Sequence, residues 1–265
     1  MGFAGADERL STEEIYDGQS TSWQRKGPVL LSDFTARPFL LEWCAPVDGR
    51  AVLDLGCGEG YMARALADRG ARRVLGIDVS SEMIERAKEA EGGKDRGLEF
   101  RAGDASTLRD VEAGAFDLAI AVFLFNYLTV DEMTAVMATA RAALAPGGRF
   151  VFSVPHPALP FLRPHERPFY FDRGEHGWFS GRDETFEGRI WRRDGEAVAV
   201  RCVHKGFADY FTALRAAGFT TMPEVAELHV TDEHLAFDPE FFEPLRDQPL
   251  HLAFQVDVPM SGGVR

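Results

Sequence analysis

The stretch AVLDLGCGEGYMARALADRG, residues 51–70, decides how the rest of the chain is read. An apolar strand over 50–55 runs straight into Gly56-Cys57-Gly58-Glu59-Gly60, and a helical pattern over 61–69 follows until Gly70 stops it. Strand, glycine turn and helix in that order are the opening of a βαβ unit. Downstream, strands are expected at 74–78, 98–102, 116–122 and 149–154, with helices at 81–90 and 131–144 and a turn at Pro146-Gly147-Gly148. These strands are almost continuously apolar rather than alternating, the pattern of a parallel sheet covered by helices on both faces.

Beyond Pro155 the pattern changes. Pro155, Pro157, Pro160, Pro164 and Pro168 crowd among aromatics through Phe179, and no regular element is expected there. Residues 185–192 and 196–203 flank Asp194-Gly195, a dipeptide that favours a tight type I′ connection, so a β-hairpin is expected. A helix over 207–217 capped by Gly218, then strands over 224–229 and 250–258, complete the sheet. At the amino end, Ser11-Thr12-Glu13-Glu14 is a helix-start signal, and an amphipathic stretch runs from 32 to 44.

The 265 residues carry 29 Lys+Arg against 42 Asp+Glu, a formal charge of −13. Such a field repels a phosphate backbone, so nucleic acid is not an expected partner. Cys44, Cys57 and Cys202 lie far apart with no CxxC spacing, which suits a reducing, cytoplasmic compartment and argues against structural zinc. The apolar run 118–125 is far short of the roughly 20 residues a membrane span needs. The amino terminus lacks the apolar core of a signal peptide, so no membrane is expected; no residues are assigned to a metal site, and whether the chemistry needs a metal is left open by the sequence.

Glycines at the end of a strand let a ligand approach the backbone where the following helix still has unpaired N–H groups. The spacing here is GxGxG. The sixth position counted from Gly56 is Tyr61, not the glycine of a dinucleotide fingerprint, which disfavours an NAD-linked oxidoreductase. A pyrophosphate wants an anion cradle, whereas Asp54 and Glu59 flank this turn and favour a cationic ligand such as a sulfonium. Asp78 ends the second strand, where it can accept two hydrogen bonds from a ribose diol; Asp104 ends the third, where it can accept from an adenine amino group. Three neighbouring strand ends would then grip one nucleoside.

Taken together, DLGCGEG at 54–60, GIDVSSEM at 76–83, GDA at 103–105, FDLAIAVFLFNYL at 116–128 and PGGRFVFSV at 146–154 resemble the class I S-adenosylmethionine-dependent methyltransferases of small-molecule type, over about residues 50–155. The resemblance implies S-adenosylmethionine as cofactor: Gly56, Gly58 and Gly60 admit its methionine part, Asp78 holds the ribose, Val79 and Met83 flank the adenine, and Asp104 with Ala105 reads the adenine edge. It also implies an α/β fold with a doubly wound, seven-stranded, mostly parallel Rossmann-like sheet, N-terminal helices and a cap inserted after the fifth strand. The expected divisions are 1–48 for the leading helices, 49–154 for the binding core, 155–205 for the cap, and 206–265 for the helix and strands closing the sheet.

A sulfonium methyl is already activated, so the protein has mainly to align a small organic acceptor and exclude water; a base is needed only where the acceptor carries a proton. Acceptor candidates lie at the carboxyl edge of the sheet: Phe123, which also borders the cofactor, Asn126, Tyr127, and Tyr170 and Trp178 of the cap, with Tyr210 on the next helix. The segment Phe123-Leu124-Phe125-Asn126 lacks the paired prolines of DNA amino-methyltransferases. Cap aromatics beside Arg163, Arg167, Arg173 and Arg182 suit an aromatic or anionic acceptor, a prenyl diphosphate methylated on carbon being one case; the competing reading makes them a small hydrophobic core with solvated arginines. His156, Glu166 and His204 are the candidate bases, Glu166 on condition that it is buried, and Tyr16 and Arg37 the candidates to close over the cofactor carboxylate. A protein that binds the nucleoside and transfers nothing is the non-enzymatic alternative.

Overall fold

The computed structural model describes residues 27–94, 96–108, 111–163 and 165–260. Its strands in chain order are β1 (Ala51–Leu55), β2 (Arg73–Asp78), β3 (Leu98–Ala102), β4 (Phe116–Val122), β5 (Leu144–Pro155), β6 (Phe169–Asp172), β7 (Thr185–Trp191), β8 (Ala197–Val203), β9 (Glu224–Leu228) and β10 (His251–Asp257). Seven form one sheet in the order β3-β2-β1-β4-β5-β10-β9, and β6-β7-β8 form a second. Neighbours among β1 to β5 pair in parallel, and β10 runs antiparallel between β5 and β9. The seven-stranded, mostly parallel sheet that the resemblance implies is therefore present.

All five residues of β1 are buried, because helices cover both faces there. The helices are α1 (Leu31–Thr35), α2 (Arg37–Trp43), α3 (Tyr61–Ala67), α4 (Ser81–Glu91), α5 (Val130–Ala143), α6 (Leu159–Leu162), α7 (Phe207–Ala216), α8 (Asp232–Phe237) and α9 (Pro239–Phe242). Local chemistry sets their ends. Ser80 Oγ accepts the Met83 N–H at 3.1 Å to start α4, and Gly92 at φ +64° ends it. At α5, Thr129 Oγ1 accepts from Glu132 N at 3.3 Å while the Glu132 carboxylate accepts from Thr129 N at 2.7 Å, a reciprocal capping box. The buried stripe Met133, Val136, Met137 and Ala140 of α5 joins Phe116, Phe150, Phe152 and Phe254 of the sheet in one core cluster. Within it the Phe152 and Phe254 rings stack at 4.6 Å.

Four local expectations need correction, and one lies outside the described residues. The stretch 32–44 is two helices, not one: the chain turns at Ala36 (φ −133°), and Pro38 sits in the first turn of α2, where its missing N–H costs nothing. Residues 155–179 are not devoid of regular structure, since α6 and β6 lie within them; Pro168 flanks β6 instead of interrupting it, and its carbonyl accepts from Trp191 N at 2.8 Å. The hairpin β7-β8 is present, but its connection is not type I′. Arg192 N donates to Glu196 O and Gly195 N to Arg192 O, and of Asp194 and Gly195 only the glycine has positive φ, so this is a three-residue loop with a left-handed glycine. The Pro146-Gly147-Gly148 turn is absorbed into β5 as an irregularity, Phe116 pairing with Leu144 and Leu118 with Arg149. The Ser11–Glu14 signal lies outside the described residues. Among the described residues no helix is long and apolar enough to cross a membrane.

Candidate functional site

The glycine turn is stitched to the neighbouring strand by its own backbone. Gly56 N and Cys57 N both donate to Ile77 O, at 2.8 and 3.0 Å, and Gly58 N donates to Asp78 Oδ2 at 2.7 Å. Gly58, at φ +54°, faces open space, with no heavy atom within 4 Å of where a Cβ would stand. Gly56 and Gly60 serve packing instead: a Cβ there would meet the Leu124 side chain at 2.9 Å and the Phe100 ring at 2.8 Å. Asp78 Oδ1 accepts from Ser80 N at 3.0 Å, so the carboxylate that ends β2 is held at both oxygens. Asp104, after β3, accepts through Oδ1 from Ser106 N and Oγ at 2.8 and 2.7 Å.

These three strand ends converge. Gly56, Gly58, Asp78, Asp104 and Ala105 all line one cavity of about 390 Å³ together with Arg37, Asp54, Val79, Met83, Phe123, Asn126 and Tyr127. Gly60 stands just behind it, at the first turn of α3. Met83 is buried while Val79 is half exposed, so one apolar side chain lies deep and one at the rim. The cavity carries two unmet polar demands at this end: Asp54 Oδ2 and Arg37 Nε are buried and without a hydrogen-bond partner. A ligand that carried both a cation and a carboxylate would complement this pair, the cation at Asp54 and the carboxylate at Arg37. Tyr16, the other candidate for that carboxylate, lies outside the described residues.

The electrostatics follow from burial. Desolvation, reinforced by Asp78 and opposed by Arg37, pushes the Asp54 carboxyl up to about 7. Arg37 donates to Asp33 Oδ1 at 3.0 Å and to Ser32 Oγ, and its guanidinium lies over the Tyr61 and Phe123 rings at 5.7 and 5.4 Å. Asp54, Glu59, Asp78, Asp104 and Glu132 line the cavity against one arginine, Arg37, and no lysine among the described residues, a field hostile to a diphosphate. Cys57 is buried in the turn, with desolvation holding its thiol well above the usual range, so it packs and does not attack.

The cap meets this cavity differently from the sequence expectation. Phe169, Phe171, Ile190 and Val200 line it, whereas Tyr170 stacks on His165 at 4.8 Å and leans on Trp191. Alternation along β6 explains this: residues 169 and 171 share one face and 170 takes the other. Trp178 and Tyr210 are likewise absent from the lining; Trp178 packs on Phe161, His204 and Phe207, and Tyr210 is buried against Phe254. The four cap arginines point elsewhere too. Arg163 is spent on the carbonyls of Phe169, Pro244, Glu166 and Arg167, Arg167 lies over Trp191, Arg173 over Phe161, and Arg182 pairs with Asp209.

None of the three candidate bases lines the large cavity. His156 accepts the Ala158 N–H at Nδ1 (3.2 Å) and donates from Nε2 to Glu227 (3.3 Å), which uses both ring nitrogens. Glu166 is exposed, which removes the burial that its role required. His204 bonds the Trp178 carbonyl at 3.0 Å and stacks on Phe186 at 5.2 Å. Sequence reasoning passed over His251, the first residue of β10, which is buried and lines the cavity beside Phe123. The available signal was a histidine at the head of an otherwise apolar strand, HLAFQV.

A family model described as a methyltransferase domain matches residues 52–148. The chain is 33% identical over 163 residues to the aklanonic acid methyltransferase DauC of Streptomyces sp. (strain C5), a match covering 58% of this chain and 71% of that protein. It is 30% identical over 105 residues to a ubiquinone biosynthesis O-methyltransferase of Idiomarina loihiensis, covering 40% of this chain and 42% of that protein. With several curated relatives the match spans only about half of their length. The crystal structure of an S-adenosylmethionine-dependent methyltransferase from Mesorhizobium loti superposes with a TM-score of 0.62 at 26% identity, covering 83% of this chain and 96% of that one.

Proposed function

We propose that this chain, which belongs to the class I S-adenosylmethionine-dependent methyltransferases, transfers a methyl group from S-adenosylmethionine to a small organic acceptor enclosed beneath the cap. The observation that carries this reading is the convergence of Gly58, Asp78 and Asp104 on one cavity that also contains the unpartnered Asp54 Oδ2 and Arg37 Nε. The cofactor supplies the activated methyl. The chain's own residues bind and orient: Asp78 accepts the ribose hydroxyls, Met83 and Val79 pack the adenine, Asp104 with Ala105 reads its edge, and Asp54 and Arg37 meet the amino-acid tail. Phe123, Phe169 and Phe171 exclude water from the far half of the cavity, where Asn126 and Tyr127 contact the acceptor. The acidic lining and the diverted cap arginines favour a small acceptor without a diphosphate. A purely nucleoside-binding role has no observation of its own in its favour.

Titration calorimetry with S-adenosylhomocysteine tests the binding half. The native chain binds it, and Asp78→Ala removes a charge-assisted pair of contacts and loosens the Gly58 N–H, costing about 1.5–3 kcal/mol. Unchanged affinity in that variant counts against the assignment. Turnover of methyl-labelled S-adenosylmethionine with a panel of small acceptors tests the transfer half.

A further inference from the structure

Away from Asp54, two further residues that line the large cavity each carry a buried polar atom without a hydrogen-bond partner, His251 Nδ1 and Asn126 Oδ1. Such orphans are rare in folded proteins, and two on one cavity call for a ligand that brings donors. The tautomer of His251 follows from its neighbour. Thr35 Oγ1 donates its one hydrogen to Leu31 O at 3.0 Å, so toward His251 Nε2, also at 3.0 Å, it can only accept. Nε2 therefore carries the ring hydrogen, and Nδ1 is left with a bare lone pair. Unlike His156, whose Nδ1 is taken by Ala158 N, His251 has a base in reserve.

Its position suits the acceptor. In the sheet order β1-β4-β5-β10, His251 stands three strands from the glycine turn, roughly 14 Å away at one strand spacing each. There it pairs with Pro155 at the tip of β5, and its ring lies 5.1 Å from Phe123 and 6.4 Å from the cap residue Phe169. Burial, then the Arg37 guanidinium, then His156, push its pKa down to about 3, so the ring is neutral in ordinary buffers. The charged groups around it are few: Arg37 is paired with Asp33, and His156, which accepts from Ala158 N at Nδ1 and whose pKa burial lowers, is a neutral ring.

We propose that His251 Nδ1 accepts the O–H of a hydroxylated acceptor and takes its proton as the oxygen is methylated, which makes the chain an O-methyltransferase; this rests on the methyl-transfer reading above. The acceptor oxygen forms its bond to the methyl carbon while the carbon–sulfur pair returns to sulfur, the O–H pair closes on oxygen, and the proton passes to Nδ1. The imidazolium then yields its proton to water as product leaves. An imidazole suits an oxygen acceptor, because a protonated ether is a far stronger acid than any imidazolium and gives up its proton to the ring, while a methylated ammonium is a weaker acid and would keep its proton.

The test is nitrogen-detected NMR of the histidine rings in the full chain, with S-adenosylhomocysteine and then phenol or anisole as probes. The expected result is a neutral His251 with hydrogen on Nε2, an Nδ1 resonance that moves with phenol, and no such movement with anisole, which has the ring but no donor. His251→Gln keeps an N–H toward Thr35 and deletes Nδ1; it should bind phenol about tenfold more weakly or worse while S-adenosylhomocysteine affinity stays at the native value. Hydrogen found on Nδ1, phenol and anisole acting alike, or undiminished phenol binding by the variant each overturns the inference. If S-adenosylhomocysteine itself fails to bind, the methyl-transfer reading falls and takes this one with it; if it binds and Nδ1 does not respond, this inference alone falls.

Discussion

The cavity has two walls built by different rules. The wall at β1, β2 and β3 is made of backbone and carboxylates: Gly58 open at φ +54°, its N–H on Asp78, and Asp104 braced by Ser106. The opposite wall, Phe169 and Phe171 on β6 with Ile190 and Val200 from β7 and β8, is made of side-chain packing alone. A wall of the first kind constrains residue type position by position, because only glycine tolerates the turn and only a carboxylate offers those acceptors. A wall of the second kind constrains volume and register and accepts many residues. The first suits a ligand that never changes, and the second can be recut for a different acceptor without disturbing the turn.

If the walls are independent, damaging one should spare the other, and the largest effect is expected at the packed wall. Phe171 is 3% exposed within the core cluster of the cap, so Phe171→Ala should lower unfolding stability by about 3–5 kcal/mol. Measured by denaturant titration, that loss should come with S-adenosylhomocysteine affinity unchanged well below the melt. A parallel fall in affinity would show that the cap and the glycine turn form one cooperative unit, which would break the comparison.

The same contrast explains what was legible in the sequence. Asp54, Gly58, Asp78, Met83 and Asp104 could be read out because each sits at a fixed offset from a strand end, and the structure brings these positions to one cavity. The cap could not be read that way. Tyr170 and Phe171 look alike in sequence, and only the pairing of β6 with β7 decides which faces the cavity. Proline crowding hid β6 altogether. His156 looked well placed by following β5 directly, yet Glu227, 71 residues away, holds its second nitrogen. The tautomer of His251 depends on Thr35, 216 residues distant, a relation no local pattern encodes.

The next effect down sharpens the account of the first wall. With the Asp54 carboxyl at about 7 in the fold against an ordinary value of 3.8, the folded chain holds a proton that the unfolded chain releases. The stability this contributes is fully present below about pH 4 and is lost as pH rises through about 7. Ligand binding runs the other way. A cation beside Asp54 favours its carboxylate, so binding of S-adenosylhomocysteine expels a proton, and affinity should climb about tenfold between pH 6 and 8. Calorimetry in buffers of different ionisation enthalpy counts that proton, and Asp54→Asn should abolish both the release and the slope. A flat native profile would mean that Asp54 faces no positive charge, and the cationic end of the ligand would have to be placed elsewhere.

The smallest effect separates backbone constraint from wall function. Gly195, in the β7-β8 connection, has φ +88° just as the binding turn has positive φ, but a Cβ there would meet nothing within 4 Å. Gly195→Ala thus isolates the conformational cost of a left-handed residue, about 1 kcal/mol, free of any clash or ligand contact. Gly58→Ala adds the same intrinsic strain at a turn that also opens onto the cavity and holds Asp78. Thermal unfolding of the two variants should therefore shift by similar amounts, while S-adenosylhomocysteine affinity falls only for the substitution at Gly58. Equal affinities in both would mean that the open space over Gly58 is not where the ligand approaches the backbone, and the reading of the glycine turn as a contact surface would reduce to that of a tight turn needing a left-handed residue.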